Sequence, residues 1–338
     1  MCIRDRGNTV RSRRRWLTGS ALALLGLALA GPLHAEAAWP TKPIRIIVPY
    51  NAGGATDIVA RMVAERLSNR LGQPVLVENR GGASGIMGTD AAAKAAPDGY
   101  TLTVSLSSSL MQNQFLYHHL PYQTLRDFVL ISQIAIAPVT LVAHPSVPAK
   151  DGPALLAYVR ANPGKVAYGS WGVGSYGHLG LAYLDASQHG DMTHVAYKGE
   201  SAMLQDLIGG RIQLAFASAL GTKPYIDNGR LKLIGVTGDK RMDVLPDAPT
   251  LTEQGLREDA YRLVGWVALA APKDTPAPIV ARLAREMHDM VRTPQVQARL
   301  IDMGFIPTGN SPTEFLASYQ QELPVWKTLV EQSGARLD

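Results

Sequence analysis

The chain has little cysteine: Cys2 is the only one, and it lies in an amino-terminal stretch set apart from the rest. A lone thiol excludes a disulfide framework and a thiolate metal site in the folded part. Charge of either sign in excess is also missing once that stretch is removed. Residues 1–37 hold six basic and two acidic side chains out of totals of 33 and 28, so the remainder is nearly neutral. Neither nucleic acid nor an anionic membrane surface is implied. No Gly-x-Ser-x-Gly, His-Glu-x-x-His or P-loop sequence occurs, so no enzyme, catalytic residue or cofactor is expected. His118-His119 has no carboxylate or histidine at helical ligand spacing and reads as a surface pair, leaving no expected metal site.

One apolar run stands out. Arg11, Arg13, Arg14 and Arg15 precede a stretch from about Leu17 to Leu33, and Ala35-Glu36-Ala37 follows. That order is a secretory signal peptide at 1–37 with cleavage near Ala37, and the run is too short for a comfortable membrane span. Ser12 to Leu17 approximates a twin-arginine signal, with Trp16 where Phe is usual; a Sec signal fits the same residues. Residues 1–6 contribute to neither reading. The protein is expected in the periplasm, with about 300 residues left for two domains.

Those residues alternate short apolar runs with amphipathic ones. Strands are expected at 44–49, 75–78, 101–105 and 139–143. Between the first two, Val59, Val63, Leu67 and Leu71 share one helical face, and Gly72 ends the helix. The pattern repeats after His144: strand 166–170, helix 175–188, strand 193–197, helix 201–208, strands 213–217 and 231–236. Alternation of this kind indicates parallel βαβ units. The end is helical, with Val280, Leu283, Met287 and Met290 in one stripe, a Thr293-Pro294 start, and a capping box from Ser311 to Glu314. Pro324 is expected to kink or break the last helix.

Two glycine-rich junctions carry the chemistry. Tyr50-Asn51-Ala52-Gly53-Gly54-Ala55-Thr56-Asp57 joins a strand to a helix, with Thr56 as the expected N-cap and Asp57 stabilising the helix dipole. Ser170-Trp171-Gly172-Val173-Gly174-Ser175-Tyr176-Gly177-His178 does the same in the second half, with Ser175 as cap and His178 in a capping, packing or ligand-donating role. Such junctions offer backbone N–H groups and the positive end of a helix to an anion. Neither loop contains Lys or Arg, so a small carboxylate would be held by neutral dipoles and water. An empty tight turn is the plain alternative for either loop alone. Gly172 to Gly177 also fits Gly-x-Gly-x-x-Gly, with Glu200 farther on, which leaves an exported NAD(P)-dependent oxidoreductase as the rival reading.

From Trp39 to Asp338 the sequence resembles the Bug family, the extracytoplasmic receptors of tripartite tricarboxylate transporters. The likeness is carried by Lys42-Pro43-Ile44, Gly53-Gly54 with Asp57, Leu71-Gly72-Gln73-Pro74-Val75, Ala96-Pro97-Asp98-Gly99-Tyr100, Tyr168-Gly169-Ser170, His194-Val195 with Tyr197-Lys198-Gly199, and Leu245-Pro246-Asp247. The resemblance implies an α/β, two-lobed type II periplasmic-binding-protein fold closing over one carboxylate. It implies lobe 1 at 38–143 and 266–338, lobe 2 at 144–265, and crossovers near His144 and near Trp266 to Ala271. The implied ligand contacts are Tyr50, Ala52, Gly53, Gly54, Thr56, Asp57, Ser108, Ser170, Trp171, Gly174, Ser175, His178 and Ala217. The implied partners are a small organic carboxylate and the membrane subunits of such a transporter, with the receptor itself a monomer. Asn51-Ala52 and the run Ala217-Ser218-Ala219-Leu220 depart from the family pattern, and Trp171 with Ala217 points to a less polar or aromatic acid.

Overall fold

The apolar runs that alternate with helices form two mixed sheets. A computed structural model describes residues 39–337; the expected signal peptide lies outside the described residues. In chain order the first half contains β1 (Ile44–Val48), α1 (Ala55–Leu71), β2 (Val75–Asn79), α2 (Ile86–Ala93), β3 (Thr101–Leu106) and β4 (Phe128–Ala137). The second half contains β5 (Thr140–Ala143), α3 (Gly152–Ala161), β6 (Ala167–Ser170), α4 (Tyr176–Gln188), β7 (Thr193–Ala196), α5 (Glu200–Ile208), β8 (Leu214–Ala217), α6 (Ala219–Asp227) and β9 (Lys232–Val236). The chain then returns through β10 (Gly265–Pro272), α7 (Ala277–Val291), α8 (Pro294–Asp302), β11 (Ile306–Pro307) and α9 (Pro312–Ser333).

The sheets have orders β11-β4-β10-β3-β1-β2 and β7-β6-β8-β5-β9. Each has a parallel core, β2-β1-β3 and β7-β6-β8, extended by antiparallel strands. Parallel βαβ units are therefore half of the answer. The antiparallel strands β4 and β10 of the first sheet are the part that periodicity did not separate from their surroundings. Both are buried on both faces, so neither shows alternation.

Two boundaries differ from expectation. Strand β5 pairs with β8 and β9 in the second sheet, whereas the resemblance implies that residues up to 143 belong to the first lobe. Residues 266–271, expected as a crossover, are interior to β10, which pairs with β3 and β4. The chain thus passes between sheets at Pro138-Val139 and again at Leu263-Val264. Pro138 has no N–H to continue the β4 ladder. Just beyond it Val139 donates to Thr237 Oγ1 and accepts from the Thr237 N–H, both at 2.9 Å.

Helix termini follow local chemistry. Gly72 caps α1 in a left-handed conformation, and Ser311 with Glu314 forms the capping box of α9. Gly54, not Thr56, is the N-cap of α1; Thr56 is already inside the first turn. Helix α9 continues through Pro324. Its Phe315, Tyr319, Trp326, Leu329 and Val330 are buried, and that apolar face outweighs the single hydrogen bond the proline removes. Against this face packs α4: the Tyr176 ring lies edge-on to Trp326 with centroids 5.9 Å apart. Tyr176 also donates to the Ala260 carbonyl at 2.8 Å.

Candidate functional site

In a parallel βαβ unit the chain leaves each strand at its carboxyl end and turns into a helix, so those ends collect loops and helix amino termini. Here the ends of β1 and β3 in one sheet and β6 in the other border a common cavity of about 450 Å³. Its polar wall includes Tyr50 after β1, Ser84 after β2, and Ser107, Ser108, Gln112 and Asn113 after β3. Facing it is the run from Trp171 to Tyr176 after β6. The remaining wall is Leu106, Ala137, Val139, Leu263, Val264, Gly265 and Trp266, with Leu116 and Leu337. Among the described residues lining it there is no Lys, Arg, His, Asp or Glu.

Tyr50 ties two of the junctions together. Its hydroxyl lies 3.1 Å from Ser108 Oγ and 2.6 Å from Ser109 Oγ. After Ser107 the chain makes a turn of π-helix from Ser108 to Gln112, a wide turn that often marks functional positions. The neighbouring loop contains Ala83 and Ser84, both with positive φ, a conformation that costs a non-glycine residue about 1–2 kcal/mol. It is held by Ser109 Oγ and Asn113 Nδ2, each donating to the Ser84 carbonyl at 3.1 Å, and by Tyr117, whose hydroxyl donates to Ser84 Oγ.

The second-lobe loop is built from its own side chains. Ser175 caps α4 by accepting from the His178 N–H at 3.3 Å, and its hydroxyl donates to the Gly172 carbonyl at 2.7 Å. The Gly174 N–H donates to His178 Nδ1 at 3.2 Å. Trp171 folds over the helix start: a Cβ on Gly177 would lie 2.8 Å from its ring. Behind the loop His178 stacks on His194 with centroids 4.0 Å apart, and His194 on Tyr168 at 4.9 Å. Burial, with the neighbouring His194 adding to it, lowers His178 to a pKa of about 4. The ring is neutral at physiological pH and serves as an acceptor that sets the loop.

Of the residues expected at the site, Tyr50, Ser108, Trp171, Gly174 and Ser175 come together on the cavity wall. Ala52, Gly53 and Gly54 are exposed and lie outside it. Thr56, Asp57, Ser170, His178 and Ala217 are buried behind the loops. Asp57 accepts from the Gly53 N–H at 2.9 Å, Arg61 Nε at 3.0 Å and Asn79 Nδ2 at 3.0 Å. Burial acts to raise its pKa, but these donors hold the carboxyl below its usual range. Its role is to fold the first glycine loop back on α1. Ser170 Oγ similarly binds its own loop, at 3.0 Å from the Gly172 carbonyl, and His194 Nε2 at 2.8 Å. Sequence reasoning missed Ser84, Ser107, Gln112, Asn113 and the apolar wall. Gly81-Gly82-Ala83-Ser84-Gly85 was a third glycine-rich junction that pointed to Ser84; nothing comparable marked Val139 or Val264.

The dinucleotide reading of Gly172 to Gly177 fails on geometry. The space over Gly177 is filled by Trp171. Glu200, the residue that would take a ribose, is engaged by Ser218, whose N–H and hydroxyl donate to its two carboxylate oxygens at 2.8 and 2.6 Å.

Comparison with known proteins agrees with that outcome. Residues 59–335 match the family model described as tripartite tricarboxylate transporter family receptor. BugT of Bordetella pertussis is 33% identical over 322 residues, covering 94% of this chain and 98% of its own. A Rhodopseudomonas palustris protein solved with adipate has 31% identity and a TM-score of 0.75, over 88% of this chain and 100% of that one. MatC from the same organism, solved with bound malate, has 30% identity and a TM-score of 0.71, over 86% and 100%. The two sheets and the cavity they border form the α/β, two-lobed type II periplasmic-binding-protein fold, and the chain belongs to the Bug family of tripartite tricarboxylate transporter receptors.

Proposed function

We propose that this protein is exported to the periplasm, captures a small organic carboxylate in the 450 Å³ cavity, and presents it to the membrane subunits of a tripartite tricarboxylate transporter. The observation that carries the reading is the facing pair of strand-to-helix junctions, Tyr50 with Ser107-Ser108 on one side and Trp171 to Ser175 on the other. Their neutral donors suit reversible capture of an anion. The lobes are proposed to meet at residues 138–139 and 263–264. The receptor acts as a monomer, its signal peptide is removed near Ala37, and Tyr50, Ser108, Trp171, Gly174 and Ser175 contact the ligand. Relatives solved with adipate and malate support the ligand class.

Thermal unfolding of the mature protein tests this. A ligand that binds only the folded state contributes about 2.7 kcal/mol at roughly a hundredfold excess over Kd. That raises Tm by about 5 °C at roughly 2 °C per kcal/mol. A true carboxylate ligand produces that shift, its amide or methyl ester does not, and NAD is silent. Because no Lys or Arg lines the cavity among the described residues, the shift persists at about 0.5 M salt, where exposed ion pairs are screened. Silence across a broad panel of carboxylates would remove the receptor reading.

A further inference from the structure

The cavity is polar at one end of the first sheet and apolar at the other, and strand order makes this so. Along β1-β3-β10-β4 the residues that reach the wall change from Tyr50, Ser107 and Ser108 beyond β1 and β3 to Val264, Gly265 and Trp266 at β10 and Ala137 at the end of β4. The register sets two of the apolar members side by side: Gly265 pairs with Ala137. Val139 and Val264, in the two passages between the sheets, continue the same floor, and both are partly exposed. Adjacent strands are about 4.8 Å apart, so the path from the β1 end to the β4 end spans roughly 14 Å.

From this gradation we propose that the receptor selects a monocarboxylate with an apolar body, aromatic or alkyl, and discriminates against dicarboxylates and tricarboxylates through Ala137, Val139 and Val264. The inference rests on the reading of the cavity as a carboxylate site and adds which carboxylates enter it. A ligand whose single carboxylate meets the serine and tyrosine hydroxyls at the polar end lays its remaining carbons on the apolar floor. Placing a second carboxylate against those side chains removes its water and returns no donor or cation, a penalty that far exceeds the loss of a few apolar contacts. No Lys or Arg among the described wall residues is placed to neutralise it. The partly exposed Trp171 indole offers a flat apolar face, which is why aromatic bodies fit as well as linear ones.

Isothermal titration of the unmodified mature protein with matched pairs decides the matter: hexanoate against adipate, and 4-methylbenzoate against terephthalate. Each pair shares its length and differs in the distal group. The expected result is at least about tenfold tighter binding of the monocarboxylate in one pair or both. A second expected result is that Val139→Lys, or Val264→Lys should the first variant fail to fold, gains affinity for the dicarboxylate and narrows the difference. Equal or tighter binding of the dicarboxylates by the unmodified protein overturns this inference and leaves the receptor reading standing. If no member of either pair binds and the wider carboxylate panel is silent too, the receptor reading fails and the inference with it. If none binds while other carboxylates do, the apolar monocarboxylate assignment alone is overturned.

Discussion

At the scale of single residues, the first glycine loop is gathered around one buried charge. Asp57 is 3% exposed and gathers three donors from three segments: Gly53 in the loop, Arg61 one helical turn on, and Asn79 at the end of β2. Asparagine at this position retains one acceptor but sets an amide N–H₂ against at least one of these donors. Asp57→Asn is therefore expected to cost about 1–3 kcal/mol, the range for leaving buried polar groups unmatched. Denaturant unfolding reads this as a lower midpoint with an unchanged slope. The depressed pKa gives the sign in acid: the carboxylate's contribution is present above its ordinary value of 3.8 and is lost as pH falls through the lowered one. The variant is accordingly less sensitive to acid below about pH 4 than the unmodified protein. A variant as stable as the parent at neutral pH would show that Asp57 does not hold the loop.

At the scale of elements, the parallel units were legible and the antiparallel ones were not. Helix α1 and the Ser175 start of α4 stood out because helical periodicity and caps are local signals. Periodicity marks neither β4 nor β10, because a strand buried on both faces has no alternation to read; the crossover near 266–271 is what the family resemblance implies, and the sheet pairing of β10 replaces it. The site was legible to the same extent. Tyr50, Trp171, Gly174 and Ser175 lie in loops that announce themselves by glycine, whereas Val139, Val264 and Trp266 become neighbours only through sheet pairing. Gly174 illustrates what the fold adds. Its φ is +77°, and a Cβ there would lie 2.6 Å from Leu116 Cδ1 on the opposite lobe. The loop after β6 thus meets the segment after β3 through a position that only glycine fills without strain. Gly174→Ala is expected to wedge the lobes apart and to weaken ligand binding by about tenfold or more, while unliganded stability changes by only about 1–2 kcal/mol. Truncating the opposing side chain in Gly174→Ala/Leu116→Ala should recover part of the affinity. If affinity in the double variant falls by the sum of the two single effects, the contact does not govern closure.

At the scale of the whole molecule, two buried titrating centres in different lobes push stability in opposite directions as pH changes. Glu322 on α9 accepts from the Trp266 indole N–H at 3.2 Å. Burial pushes its pKa up to about 7, with the Trp266 and Trp326 indoles acting the other way. The folded protein therefore keeps a proton that the unfolded chain loses near 4.5; the associated stability is fully present below 4.5 and is lost as pH rises through 7. His178 and His194 have the reverse sign. Burial lowers both, His178 to about 4, so their stability is present above the ordinary 6.5 and is lost as pH falls toward the folded values. Between about pH 4.5 and 6.5 the Glu322 and His178 contributions nearly offset, each worth about 1.4 kcal/mol per pH unit. Glu322→Gln retains an acceptor for the Trp266 indole and removes one of the two slopes. The variant is expected to match the parent below about pH 4.5 and to exceed its stability by about 3 kcal/mol at pH 8. Its stability should fall more steeply than the parent's as pH is lowered from about 6.5, because the two histidines then act unopposed. Urea unfolding of both proteins across pH 4 to 8 measures this directly. Parallel curves would mean that Glu322 ionises near its ordinary value, with water reaching it beside Trp266.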